Sequence, residues 1–322
     1  MVKIKKWNVE HSGAGGMKGN GKSVKGNPLQ LAGKGRPGGE EVSQVASVNE
    51  ILQELHALVG LASVKKLIEE MYAFVEIQKR RQKEKLATES LVLHMIFKGN
   101  PGTGKTTVAR ILGRMFKAVG VLPKGHSIEV ERADMVGEFI GHTAQKTREQ
   151  IKKALGGILF IDEAYSLARG GDKDFGKEAI DALVKGMEDH RNNLILILAG
   201  YQDEMDWFIE ANPGLRSRFP IHITFPDYNL RDLLAIADLM LQKRQYVLTN
   251  GAREELRFHI EKERRRHAHS GNARLVRNLI ERAIRRQAVR LIHRQGNLSR
   301  EELMAISRED FEGSDPQGFS QV

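Results

Sequence analysis

Short apolar runs alternate with helically spaced apolar positions along most of this chain. LVLHMIFKG (91–99) predicts a buried strand, and HSIEVER (126–132), GGILFID (156–162), NLILILAG (193–200) and IHITF (221–225) are further candidate strands. Between them, GKTTVARILGRMFKAV places Val108, Ile111, Leu112, Met115 and Phe116 at helix spacing. HTAQKTREQIKKAL (142–155), FGKEAIDALVKGMED (175–189) and QDEMDWFIE (202–210) read as further helices. The alternation of short apolar runs with helices predicts a parallel sheet covered on both faces, an α/β fold.

The pattern changes from Asp227. RDLLAIADLMLQKRQY, AREELRFHIEKERRR and ARLVRNLIERAIRRQAVRLIHR predict three helices without intervening strands. Pro226 disfavours a regular element across the junction. The expected organisation is a flexible basic, Gly-rich tail over 1–45, a core domain over 46–226, a small helical domain over 227–310 and a flexible C-terminus over 311–322. Order is expected to begin near Val48, where VNEILQELHALVG first carries helical spacing.

The 322 residues suffice for one large domain or two moderate ones. The absence of cysteine excludes disulfides, thiol catalysis and thiolate metal sites. No stretch predicts a secretory signal or a membrane span, so the expectation is a soluble cytoplasmic protein. The net charge of +10 permits an acidic protein or a nucleic acid as partner without requiring either.

The chemistry concentrates in FKGNPGTGKTTVARILG (97–113). Gly99, Gly104, Lys105 and Thr106 fit G-x-x-x-x-G-K-[ST], with the strand and the helix on the required sides. Glycines permit the tight path that turns amide N–H groups toward phosphates, and the helix start favours an anion. Gly99, Asn100, Pro101, Gly102, Thr103, Gly104, Lys105, Thr106 and Thr107 are therefore the predicted nucleotide cradle. Lys105 reaches β- and γ-phosphates, which points to a triphosphate, and Thr106 offers a hydroxyl to Mg²⁺. GGILFIDEAYS brings Asp162 and Glu163 to a strand end beside that cradle. Asp162 can hold Mg²⁺ through its water shell, and Glu163 can activate the attacking water. ATP and Mg²⁺ are the expected substrate and cofactor.

These motifs, with ERADMVGEFIGHTAQKT, NPGLRSRFP and GNARLVRN, resemble the AAA-plus ATPase superfamily over roughly residues 48 to 310. Within it, they are similar to the stage V sporulation protein K group and to the red-type rubisco activases. The resemblance implies a phosphate-loop αβα sandwich with a C-terminal helical lid, usually assembled as a homohexameric ring that remodels a protein. It implies that Arg218 is an arginine finger serving the neighbouring subunit, a catalytic role beside Glu163 and Lys105, with Arg216 less securely placed. Arg274 matches the lid's sensor arginine, with Asn272 as a candidate cap for its helix. Val59 and Gly60 match the loop lining the adenine, although Val59 equally suits a core. Tyr201 falls where a polar strand-end sensor usually stands, and its ring can either approach the water or pack. Phe139, Ile140 and Gly141 match a pore loop that grips polypeptide; the competing expectation is a Phe139 tucked against its own domain.

A nucleic-acid motor or loader is the alternative, drawn from the basic runs EKERRRHAHSG (261–271) and IERAIRRQAVRLIHR (280–294). Their apolar residues at helical spacing read first as solvated helix faces. His267 and His269 read as solvated residues, and no histidine pattern suggests a metal site. The protein substrate is not identified by the sequence.

Overall fold

The computed structural model describes residues 39–88, 91–139, 141–169, 175–266, 271–294 and 296–312, with side chains from Val48 onward. Most of the expected tail, His267, His269 and Ile140 lie outside the described residues. Five strands pair in parallel in the order β2-β3-β4-β1-β5. They are β1 (Met95–Lys98), β2 (Ser127–Val130), β3 (Ile158–Ile161), β4 (Ile195–Gly200) and β5 (Ile221–Thr224). Central β1 pairs Met95 with Ile197 on one side and with Ile221 on the other.

Strand residues alternate between two cores, as the period of two requires. Met95, Phe97, Ile158, Phe160, Ile195 and Ile197 face one core. Ile96, Leu159, Ile161, Leu196 and Leu198 face the other. α1 (Gly39–Ala57), α2 (Ala62–Lys83) and α3 (Lys105–Ala118) cover the first face. α4 (Arg132–Met135), α5 (His142–Ala154), α6 (Gly176–Asp189), α7 (Gln202–Glu210) and α8 (Pro213–Arg216) contribute to the second. Val108, Ile111, Leu112, Met115 and Phe116 are all buried, as their spacing predicts.

α2 answers no expectation drawn from the sequence. It buries Val64, Ile68, Met71 and Val75, whose intervals of four and three are helical. Burial of each such side chain contributes about 1.5–3 kcal/mol. α1 also begins earlier than the expected onset at Val48, its backbone running from Gly39.

Past Pro226, the Asn229 side chain accepts from the Asp232 N–H at 2.9 Å and caps α9 (Leu230–Gln242). α10 (Asn250–Arg266), α11 (Asn272–Ile292) and α12 (Arg300–Met304) follow. The lid is not strandless as expected: β6 (Val247–Leu248) and β7 (Ala305–Ile306) form a small parallel pair. A two-residue strand is too short for a periodicity to reveal it. Arg290 of α11 donates two 2.9 Å bonds to the buried Asp310 carboxylate, and Phe311, just past the expected end of the lid, is buried. Among the described residues no helix is long and apolar enough to cross a membrane.

His94, immediately before β1, gives the fold a measurable acid sensitivity. Its buried ring accepts the Leu196 N–H at Nδ1 (3.0 Å) and lies against Phe219. Burial lowers its pKa from 6.5 to about 4. The unfolded chain therefore binds a proton that the native chain refuses between these values. Its contribution is complete above 6.5 and is lost as pH falls toward 4, by at most about 1.4 kcal/mol per pH unit. Melting curves across that window are expected to fall less steeply for His94→Gln than for wild type. Parallel curves would remove His94 as the cause.

Candidate active site

β1 ends where the phosphate loop begins, and the loop closes into α3. Gly99 has φ +152°, and a Cβ there would lie 2.4 Å from the Phe225 carbonyl oxygen. At Gly102 (φ +74°) a Cβ would lie 2.5 Å from the Gly271 carbonyl oxygen and 2.8 Å from the Arg274 nitrogen. Only glycine fits either position. Gly104 precedes α3 without any side-chain cap, so the first helical amides remain free to meet an anion. Thr103 is buried and its hydroxyl donates to Asn100 O at 2.8 Å, bracing the loop from within.

A cleft of about 370 Å³ opens above this loop. Gly99, Pro101, Gly102, Gly104, Lys105, Thr106 and Thr107 form its floor. Asp162 and Glu163 enter from the end of β3, and Tyr201 from the end of β4. Ala273 and Arg274 close it from α11. Sequentially remote residues thus converge at the strand C-terminal ends, where a parallel sheet places its ligands. Lys105 Nζ donates to Gly99 O (2.7 Å) and Asn100 O (3.0 Å). Burial lowers its pKa; Asp162 opposes this, Arg274 reinforces it, and Glu163 and Asp227 oppose it. The Glu163 N–H donates to Asp162 Oδ1 at 3.0 Å, and Glu163 stands at φ +47°. That left-handed backbone is uncommon for glutamate. The Thr106 hydroxyl and Asp162 carboxylate are oxygen donors suited to Mg²⁺, which takes few protein ligands when substrate phosphates supply others.

Several predicted residues stand outside the cleft lining. Asn100 turns its amide outward to Asp227, with 3.0 Å to each carboxylate oxygen. Val59 packs on the core, while Gly60 (φ +63°) approaches the Tyr228 ring. Arg218 donates to Gly214 O at 2.8 Å and pairs with Glu188. Phe139 is 63% exposed, its ring edge-on to His142, which excludes the expectation of a Phe tucked into its own domain. Gly141 follows at φ +81°.

The expected capping role of Asn272 is not what the structure has. Asn272 is itself the first residue of α11, at φ +45°, and Gly271 precedes it without a side-chain cap. Its buried amide accepts the Tyr228 N–H at 2.9 Å and donates to Asp227 at 2.8 Å. Two cleft residues went unnoticed in the sequence, Arg110 and Arg277. Arg277 lies one helical turn beyond Arg274, an i, i+3 spacing that carried the signal. Among the described residues, neither the Arg274 nor the Arg277 guanidinium makes a hydrogen bond or ion pair. Tyr228 donates its hydroxyl to Thr103 O at 3.1 Å, and burial, with Asp232 nearby, pushes its pKa up to about 12. It therefore remains a donor throughout the neutral range.

Comparison with known proteins agrees with this geometry. Residues 95–227 match the model described as ATPase family associated with various cellular activities (AAA), and residues 229–320 match the AAA lid domain. The chain is 54% identical over 265 residues to stage V sporulation protein K of Bacillus subtilis, covering 82% of each. It is 46% identical over 272 residues to protein CbbX of Cereibacter sphaeroides, covering 84% of this chain and 88% of that one. The RuvB Holliday junction branch migration motor of Thermotoga maritima shares its fold, with a TM-score of 0.53 and 18% identity over 79% of this chain and 67% of that one. With a phosphate-loop αβα core and a separate C-terminal helical lid, this chain belongs to the AAA-plus ATPases, close to stage V sporulation protein K and the CbbX and CfxQ proteins, and its domain is an ATP-hydrolysing one.

Proposed function

We propose that this protein assembles as a homohexameric ring that spends ATP to pull on or loosen a partner protein, in the setting of bacterial sporulation. The observation carrying this reading is Phe139, an aromatic side chain 63% exposed on the loop between α4 and α5 of an ATPase core. Apolar contact suits a grip that must accept varied side chains and release them, since it needs no fixed hydrogen-bond partners. The 54% identity to a stage V sporulation protein supports the setting. Residues 46–226 serve as the core and 227–310 as the lid.

In this reading the loop amides and Lys105 hold the β- and γ-phosphates. Bound Mg²⁺ supplies charge neutralisation, with Thr106 and Asp162 holding it largely through water. Glu163 takes a proton from the attacking water. Arg218 acts on the neighbouring subunit's nucleotide, Arg274 on that of its own subunit, and Tyr201 lies at the water's side of the cleft. Val59 and Gly60 flank the adenine.

A nucleic-acid motor is the competing reading, and the lid's ion pairs weigh against it. Arg253 pairs with Asp238, Arg244 with Glu281, Arg290 with Asp310 and Arg294 with Glu302. These four lid cations are thus already matched within the chain. Phosphate release is expected to rise with an unfolded protein and not with DNA. Stimulation by DNA alone, falling steeply with salt, would transfer the reading to the nucleic-acid class.

Phe139→Ala is expected to keep the wild-type melting temperature, because an exposed side chain contributes within about 0.5 kcal/mol. A core truncation would cost about 3–5 kcal/mol. The variant should also keep its ATP affinity while losing stimulation by unfolded protein. Retained stimulation in a normally folded variant removes the gripping role.

A further inference from the structure

The phosphate loop is held by residues of the core–lid junction. Three successive loop carbonyls accept bonds from that side. Asn272 Nδ2 lies 3.4 Å from Pro101 O, the Ala273 N–H donates to Gly102 O at 3.2 Å, and Tyr228 donates to Thr103 O at 3.1 Å. In a trans peptide the C=O and the following N–H point in opposite directions. Drawing these three carbonyls toward the lid turns the N–H groups of Gly102, Thr103 and Gly104 the other way. Gly102 and Gly104 line the cleft, so that way is where an anion sits.

Asp227 ties this arrangement together. Its carboxylate accepts from Asn100 of the loop, at 3.0 Å, and from Asn272 of α11, at 2.8 Å. Asn272 is 1% exposed and left-handed at φ +45°, a backbone that asparagine tolerates better than most residues. Glycine would accept the same backbone but could not supply the amide. The side chain, and not the backbone alone, is therefore what this position uses. Arg274 follows two residues later on the same helix.

We propose that Asp227 and Asn272 form a clamp that orients the phosphate-loop amides and makes seating of the lid helix part of nucleotide binding. Both are positioning residues, acting through the loop and through α11. The inference rests on the nucleotide reading of this cleft and adds the coupling of that cleft to the lid. When α11 leaves its seat, the Pro101 and Gly102 carbonyls lose their partners and the cradle loosens; when an anion orders the cradle, α11 is drawn in.

The test uses the full chain with a non-hydrolysable ATP analogue. Because the chain has no cysteine, single labels can be placed at the exposed positions Lys152 and Ile292 to report core–lid distance. Asn272→Gly is expected to fold but to melt below wild type, since it leaves the buried Tyr228 N–H unpaired, and to bind the analogue about tenfold or more weakly, in line with lost bonds to buried polar groups. The distance change on adding analogue should shrink with it. Asp227→Ala should behave alike, and Asp227→Asn, which keeps one acceptor oxygen, should fall between it and wild type. If Asn272→Gly fails to fold, the two Asp227 variants decide by the same readouts. Folded variants with wild-type affinity and the wild-type distance change overturn the clamp while leaving the nucleotide site standing. A wild type that binds no analogue overturns the nucleotide site and the clamp with it.

Discussion

Glu163→Gln is expected to bind ATP at least as well as wild type and to hydrolyse it about 10²- to 10⁴-fold more slowly, the range for a lost general base. The sign of the binding effect follows from the cleft. Lys105 and Arg274 face the same space as Glu163, and Lys105 senses its charge. Removing a negative charge there lessens repulsion of an incoming triphosphate, while glutamine preserves the shape of the side chain. Asp162, the loop amides and Thr106 are untouched, so every group assigned to phosphate and Mg²⁺ remains. Lys105→Ala makes the contrast, because it removes the cradle's cation and should weaken binding first. Calorimetry gives the affinities and a phosphate-release assay gives the turnover. Unchanged turnover in purified Glu163→Gln would falsify the water-activating role, and strongly weakened binding would move Glu163 to the binding set.

Arg218→Ala should lose turnover on a comparable or larger scale, about 10³- to 10⁵-fold where an arginine finger stabilises the transferring phosphate. Within its own chain Arg218 does not line the cleft; it bonds Gly214 O and pairs with Glu188. Both partners of that pair are substantially exposed, so its loss should move the melting temperature little. A large activity loss with a small stability loss then points to a role outside the chain's own fold. Mixing Arg218→Ala with Glu163→Gln separates assembly from local damage. A subunit with intact Glu163 can receive Arg218 from a Glu163→Gln neighbour, so some activity should return. Sedimentation of each variant checks that it assembles as wild type does. No recovery in the mixture, or wild-type turnover per subunit that is constant down to demonstrated monomer, defeats the intersubunit role.

The phosphate loop and the Asp162–Glu163 pair were legible because each is contiguous and set between elements with strong periodicity. The strand β1 ending at Lys98 and the helix α3 starting at Lys105 leave the six residues between them few paths. Burial on both faces made the inner strands β3 and β4 visible as unbroken apolar runs, while the edge strands β2 and β5 carry polar residues and are only partly buried. α2 had its signal too, at Val64, Ile68, Met71 and Val75, but its many charged residues obscured the stripe. β6 and β7 had none, since a two-residue strand exists only through its partner.

What lay beyond the sequence was any role set by residues distant along the chain. GNAR offered Asn272 as a helix cap, the ordinary local use of asparagine after glycine. The fold instead brings Asp227 and Pro101 to its amide, and joins Tyr228 to Thr103 across 125 positions. Arg277 looked like one more lid charge until α11 lay beside the loop. Phe139 carried two opposed expectations, and only its surroundings separated exposed from buried. The sequence by itself thus determined the αβα class, the cradle and the acidic strand end, because these depend on neighbours within one turn or strand. The tertiary structure alone decided which remote side chains brace that cradle and which stay outside it, because hydrogen bonds and burial depend on distances that chain order does not specify.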